Sequence, residues 1–121
     1  MRNRQSAKKA GTAFESLLAE HLRSALNDDR IERRARSGRL DRGDIAGVRH
    51  MGQRVVIECK NTTRVDLAGW TREARVQAGN DDALVGVVIH KRHGVANPGD
   101  QWVTMTVADL CALLTGERVT Q

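Results

Sequence analysis

Glu58 and Lys60 stand two residues apart inside the run Arg54 to Lys60, whose β-branched residues predict a strand. Side chains alternate in a strand, so Val56, Glu58 and Lys60 share one face while Val55, Ile57 and Cys59 share the other. A second β-like run, Asp44 to Val48, comes just before it, and His50-Met51-Gly52-Gln53 between the two suits an antiparallel hairpin. With the turn centred near Met51, residue 44 falls opposite residue 58 or 59, which brings the Asp44 carboxylate close to Glu58. A third acid comes from upstream. Phe14, Leu17, Leu18, Leu22, Ala25 and Leu26 recur at helical spacing from Lys8 to Leu26. At about 100° per residue, Glu15 points between Leu22 and Leu26, inside the apolar arc, and Glu20 projects from the opposite side.

Acids brought this close repel unless a cation neutralises them, and a hard divalent ion with oxygen ligands is the usual solution. Mg2+ fits that role. An ion held by Asp44 and Glu58, with Glu15 reaching it directly or through water, polarises a phosphate oxygen and lowers the pKa of bound water. Lys60 would orient the attacking water or neutralise developing charge. Hydrolysis of a phosphodiester is the reaction that such a group suits best.

The elements that must position these residues follow from pattern and punctuation. Residues 1 to 9 are polar and basic and are expected to be flexible, leaving 10 to 121 as one domain. Asn27-Asp28-Asp29 ends the first helix, and Ile31 to Arg36 could form a short strand before the Ser37-Gly38 turn. Asp66 can cap a second helix from Leu67 to about Gln77, with Leu67, Trp70 and Ala74 on its inner side, closed by Gly79-Asn80-Asp81. Ala83 to His90, rich in valine, reads as a strand covered on both faces. After the loop His93 to Asp100 come a last strand, Gln101 to Met105, and a helix opened by the capping box Thr106-x-x-Asp109 and stopped by Gly116. The order α-β-β-β-α-β-β-α predicts an α/β fold with a central mixed sheet flanked by helices.

Composition narrows the partner. Twenty Lys and Arg against fifteen Asp and Glu leave a formal charge of +5, which favours a polyanion. Arg33, Arg34, Arg36, Arg39 and Arg42 fall in one segment whose only acid is Asp41, a candidate phosphate-facing loop. The only aromatic residues are Phe14, Trp70 and Trp102, too few for a row of base-stacking platforms, so recognition should rest on backbone and shape. Cys59 and Cys111 lie far apart without Cys-x-x-Cys spacing, as expected of buried thiols in a reducing, cytoplasmic compartment. Nothing approaches the length of an apolar membrane span, and Met1-Arg2-Asn3-Arg4 lacks the apolar run of a signal peptide.

Gly43-Asp44 followed by Glu58-Cys59-Lys60, with the helical acid Glu15 upstream, resembles the PD-(D/E)xK nuclease superfamily. Within it the likeness is to the archaeal-type Holliday junction resolvases and their phage relatives, over roughly residues 8 to 92. Gly11-Thr12-Ala13-Phe14-Glu15 matches their early helix, and Arg36-Ser37-Gly38-Arg39 their basic Ser/Gly loop. Gly43 stands where the family name has Pro. The resemblance implies a restriction-endonuclease-like core and a Mg2+-dependent endonuclease, with Mn2+ able to substitute, often dimeric, that cuts paired strands of branched DNA. Carried over, Asp44 and Glu58 are metal ligands together with the Cys59 backbone carbonyl, Glu15 is a direct or water-mediated ligand, and Lys60 is the catalytic lysine. Ser37 falls in a mobile loop that approaches DNA, with Arg33, Arg34, Arg36, Arg39, Arg42 and Lys91 as further DNA contacts. Gln77 corresponds loosely to a polar residue on the helix after the core motif.

Plainer readings stand beside these. Glu58 and Lys60 could form a weak ion pair on a solvated strand face, and Glu15 could simply bridge to an arginine. The arginine cluster could be a solvated loop, and Lys91 a surface residue. His90-x-x-His93 lacks a second pair of zinc ligands. Two functional rivals remain: a nuclease of the same superfamily acting on linear or flapped DNA, and a noncatalytic basic DNA-binding module.

Overall fold

The computed structural model describes residues 3–35 and 38–118. The first helix, α1 (Arg4–Ala25), begins earlier than apolar spacing suggests, because the Asn3 side chain accepts the Ser6 N–H at 2.8 Å and caps it. Phe14, Leu18 and Ala19 form its buried stripe. Of the expected strand Ile31 to Arg36 only β1 (Glu32–Arg33) forms, and Arg36 and Ser37 lie outside the described residues. Then follow β2 (Ile45–Ala46), β3 (Arg49–His50), β4 (Gln53–Lys60), α2 (Leu67–Asn80), β5 (Val85–His90), β6 (Trp102–Thr104) and α3 (Val107–Thr115).

The sheet is mixed and runs β1-β2-β4-β5-β6, with β3 pairing β4. Strands β4 and β5 are parallel, Glu58 standing beside Val88, and α2 makes the crossover between them. Every other pair is antiparallel. On one face Ile57, Cys59, Val85, Val87 and Ile89 pack against Phe14 and Leu18 of α1, Ile31, Ile45 and Ala112 of α3. On the other, Val56 meets Ala78 and Ala83, and Val88 meets Trp70 and Ala74 of α2. Gly86 lets α2 lie close to β5, since a Cβ there would come 2.2 Å from the Ala74 carbonyl oxygen. Glu58 therefore lies on the α2 side, between two apolar patches.

The expected hairpin contains an irregularity that decides where Asp44 goes. Near its tip Arg49 stands opposite Arg54, and the Val55 N–H donates to the Val48 carbonyl at 2.9 Å. Further along, Ile45 stands opposite Ile57. Ala46 and Gly47 thus share the place opposite Val56, which is a β-bulge. Gly47 has φ +89°, and a Cβ on it would come 2.2 Å from the Arg30 carbonyl oxygen. The extra residue shifts the register by one, so Ile45 falls opposite Ile57 rather than Glu58, and Asp44 follows the face of Glu58 by alternation. Among the described residues, no helix is long and apolar enough to cross a membrane.

Candidate active site

The site lies where β2 stops. Beyond Asp44, whose N–H donates to the Ile57 carbonyl at 2.8 Å, strand β4 has no β2 residue beside it. The Cys59 N–H is satisfied instead by Asp44 Oδ2 at 2.7 Å. By strand alternation the Cys59 carbonyl lies on the same edge as its N–H. This gap lets α1, on the opposite face from Glu58, bring Glu15 near enough to Asp44 that, besides burial, the Asp44 charge raises its pKa. The Asp44 and Glu58 carboxyls are also near enough to interact, burial and then the charge of Asp44 raising the Glu58 pKa. Glu15, Asp44 and Glu58 thus form a chain of carboxyls through the sheet edge, and the Arg33 guanidinium holds the outer end at 2.9 Å from Glu15.

From the other side α2 closes the group. Lys60 Nζ stands 2.9 Å from Glu73 Oε2 and 3.5 Å from Glu58 Oε1. Gln77, 1% exposed, donates its Nε2–H to Asp41 Oδ2 at 3.0 Å. Asp41 is itself fixed, its Oδ1 accepting the Gly43 N–H at 3.0 Å and its carbonyl accepting from Asn80 at 2.8 Å. Carboxylate oxygens of Asp41, Glu58 and Glu73 lie within 4.8 Å of one another. Two buried oxygens, Glu58 Oε2 and Gln77 Oε1, have no hydrogen-bond partner.

The electrostatics reflect crowding. Burial, and then the charge of Asp44, push the Glu58 carboxyl up to about 8, against the pull of Lys60. Burial also raises Asp44, opposed by the Cys59 N–H, and raises Glu15, with Asp44 adding to the effect and Arg33 opposing it. For Lys60 burial works against the charge, but the hydrogen bond to Glu73 and the charge of Glu58 outweigh it, so the ammonium is held above its ordinary value. Burial and the surrounding carboxylates push the Cys59 thiol far up, so at neutral pH it remains a thiol.

The remaining sequence candidates are dispersed. Arg33 is engaged by Glu15, and Arg34 donates to the Arg42 carbonyl at 3.0 Å and lies 3.6 Å from Asp81. Both are tied into the protein at the root of the arginine-rich segment. Arg39 and Arg42 are exposed, while Arg36 and Ser37 lie outside the described residues. The Lys91 ammonium donates to the Val95 carbonyl, bracing its own loop. His90 pairs with Thr104 at 2.7 Å and packs on the Trp70 ring.

Sequence reasoning missed Asp41 and Glu73. In the sequence Asp41 stands out as the lone acid of a basic segment, and in the structure it is held by Gly43, Gln77 and Asn80. Glu73 stands four residues before Gln77 on α2, and therefore on the same helical face. That face holds Ala74, Gln77 and Ala78 buried against the sheet, so its polar members had to meet something on β4. No family model, no curated protein and no solved structure matches the chain.

Proposed function

We propose that the chain is a divalent-metal-dependent endonuclease with a restriction-endonuclease-like core, acting on branched DNA of the four-way-junction type, as a two-fold dimer. The observation that carries this reading is the carboxyl chain of Glu15, Asp44 and Glu58 at an interrupted sheet edge, with Lys60 beside it and a buried Glu58 oxygen left without a partner.

The residues fit a hard cation. The donors are carboxylate and backbone oxygens, the only thiol among them is held protonated, and a partnerless buried carboxylate oxygen costs several kcal/mol unless a cation or water meets it. Asp44, Glu58 and the Cys59 carbonyl would hold Mg2+ or Mn2+, with Glu15 as a direct or water-mediated ligand. The bound ion supplies Lewis-acid polarisation of the phosphate and a more acidic water. Lys60 keeps its proton at Nζ and offers it as a hydrogen-bond donor to a phosphate oxygen or to water. Asp44, oriented by the Cys59 N–H, and Glu58, buried on the sheet, present their oxygens without reorganisation. Arg39 and Arg42 would lie along the DNA backbone, contributing affinity rather than sequence preference. Two free cysteines suit a reducing compartment.

A four-way junction presents two equivalent strands for a two-fold dimer to cut. Purified protein with Mg2+ should therefore nick a synthetic junction in paired strands faster than a flap or plain duplex of the same sequence. Equal rates on all three would reassign the substrate within the nucleases, and no cleavage of any would leave a DNA-binding module.

A further inference from the structure

With all its carboxyls ionised, the group around Glu58 holds more negative charge than one divalent ion offsets. Among the described residues five carboxylates, those of Glu15, Asp41, Asp44, Glu58 and Glu73, face two cationic side chains, Arg33 and Lys60, an excess of three negative charges when all are ionised. They fall into two sets meeting at Glu58. One runs from Glu15 through Asp44 at the sheet edge, and the other comprises Asp41 and Glu73 on the α2 side.

We propose that Asp41, Glu58 and Glu73 form a second divalent-cation site, separate from the one at Asp44 and sharing Glu58 with it. Three observations support it independently of the charge count. Glu58, 6% exposed and a member of this group, leaves Oε2 without a hydrogen-bond partner. The Gln77 carboxamide, 1% exposed and bonded to Asp41, reaches the same place and leaves Oε1 without a partner. Lastly, Glu73 is the half-exposed member, its side chain 43% accessible, so the group has a mouth through which a hydrated ion can enter. All these donors are oxygens, which selects Mg2+, Mn2+ or Ca2+ over zinc.

Occupation of this site has a consequence for Lys60. Its ammonium is now the sole cation facing Glu73 and Glu58 among the described residues. A divalent ion there competes for the same oxygens and frees the ammonium to turn toward the sheet edge. With both ions bound the group carries one net positive charge, which suits a phosphodiester carrying one negative charge.

The inference rests on the nuclease reading for the ion at Asp44, and its test does not depend on cleavage. Mn2+ alone is titrated into the chelator-treated protein, and free Mn2+ is followed by its paramagnetic resonance signal. The wild type should bind two ions per chain, Glu73→Gln one, and Asp44→Asn one, with Glu73→Ala as a second variant at the same half-exposed position. Circular dichroism checks that each is folded. Loss of the Lys60 partner is read separately in Lys60→Met, which should bind Mn2+ at the second site several-fold more tightly. One ion per chain, removed by Asp44→Asn and untouched by Glu73→Gln, would overturn the second site and leave the nuclease reading standing. Two ions bound to a protein that cuts no DNA would support the ion pair and sink the nuclease reading instead.

Discussion

Glu58 is the carboxyl on which the proposed site centres, and its protonation is the most accessible handle on that proposal. Its carboxyl is pushed up to about 8 by burial and by Asp44, from an ordinary value near 4.5. An acid whose folded pKa is raised stabilises the fold below the unfolded value and loses that contribution as pH climbs toward the folded value. In the presence of chelator, stability should therefore fall between about pH 4.5 and pH 8. Glu58→Gln, which keeps shape and hydrogen-bonding capacity without charge, should raise Tm by roughly 5 °C or more at pH 8 and by less at pH 5. A thermal melt series across that range checks this, and an equal effect at both pH values would mean that Glu58 is not strained by its charge. Lys60 belongs to the same balance. Its partner Glu73 comes from a helix that sequence spacing marks as amphipathic without saying which charged residue meets the sheet.

At the scale of elements, the bulge at Ala46 and Gly47 is the device that turns Asp44 toward Glu58. Gly47→Ala has to accommodate both a positive φ and a Cβ 2.2 Å from the Arg30 carbonyl, and should cost roughly 1–3 kcal/mol. Gly52→Ala, at a similar φ of +77° but with nothing within 4 Å of the new Cβ, isolates the backbone contribution. Urea unfolding of both should show the larger loss at Gly47, and Mn2+ affinity should fall only there. Equal costs would remove the bulge from the account. The same bulge marks the limit of what the sequence could reveal. Alternation in Arg54 to Lys60 and a turn near Met51 lead to the expectation of Asp44 opposite residue 58 or 59, because hairpin register follows from turn position. The register the chain takes, Ile45 opposite Ile57, needs the extra residue, which depends on Arg30 approaching Gly47 from another part of the chain. The helices α2 and α3 were legible from their caps, Asp66 and Thr106, which accept the N–H groups of Gly69 and Asp109. The short edges β1 and β6 were overestimated, because strand length depends on neighbours rather than on propensity. Asp41 and Glu73 were illegible as site residues for a related reason: each reaches Glu58 across tertiary space from a segment with its own local explanation.

The whole molecule carries +5, yet five of its fifteen acids gather around Glu58, so the rest of the surface is more basic than the total suggests. The arginine-rich segment divides in two: Arg33 and Arg34 brace the fold, while Arg39 and Arg42 remain exposed. If the exposed pair lies along DNA, replacing both by Ala should weaken binding similarly for unrelated sequences and reduce the slope of log affinity against log salt by about 1–2. Fluorescence anisotropy at several salt concentrations measures this, and an unchanged slope would move the DNA path elsewhere. The measurement that bears most directly on the central claim is nicking of a labelled four-way junction with Mg2+, comparing wild type, Asp44→Asn and Glu58→Gln. The wild type should cleave, a chelator should stop it, and each variant should lose at least about a hundredfold in rate while binding the junction nearly as well. Undiminished cleavage by both variants would contradict the account, because the carboxyls gathered at the sheet edge would then have no part in the reaction.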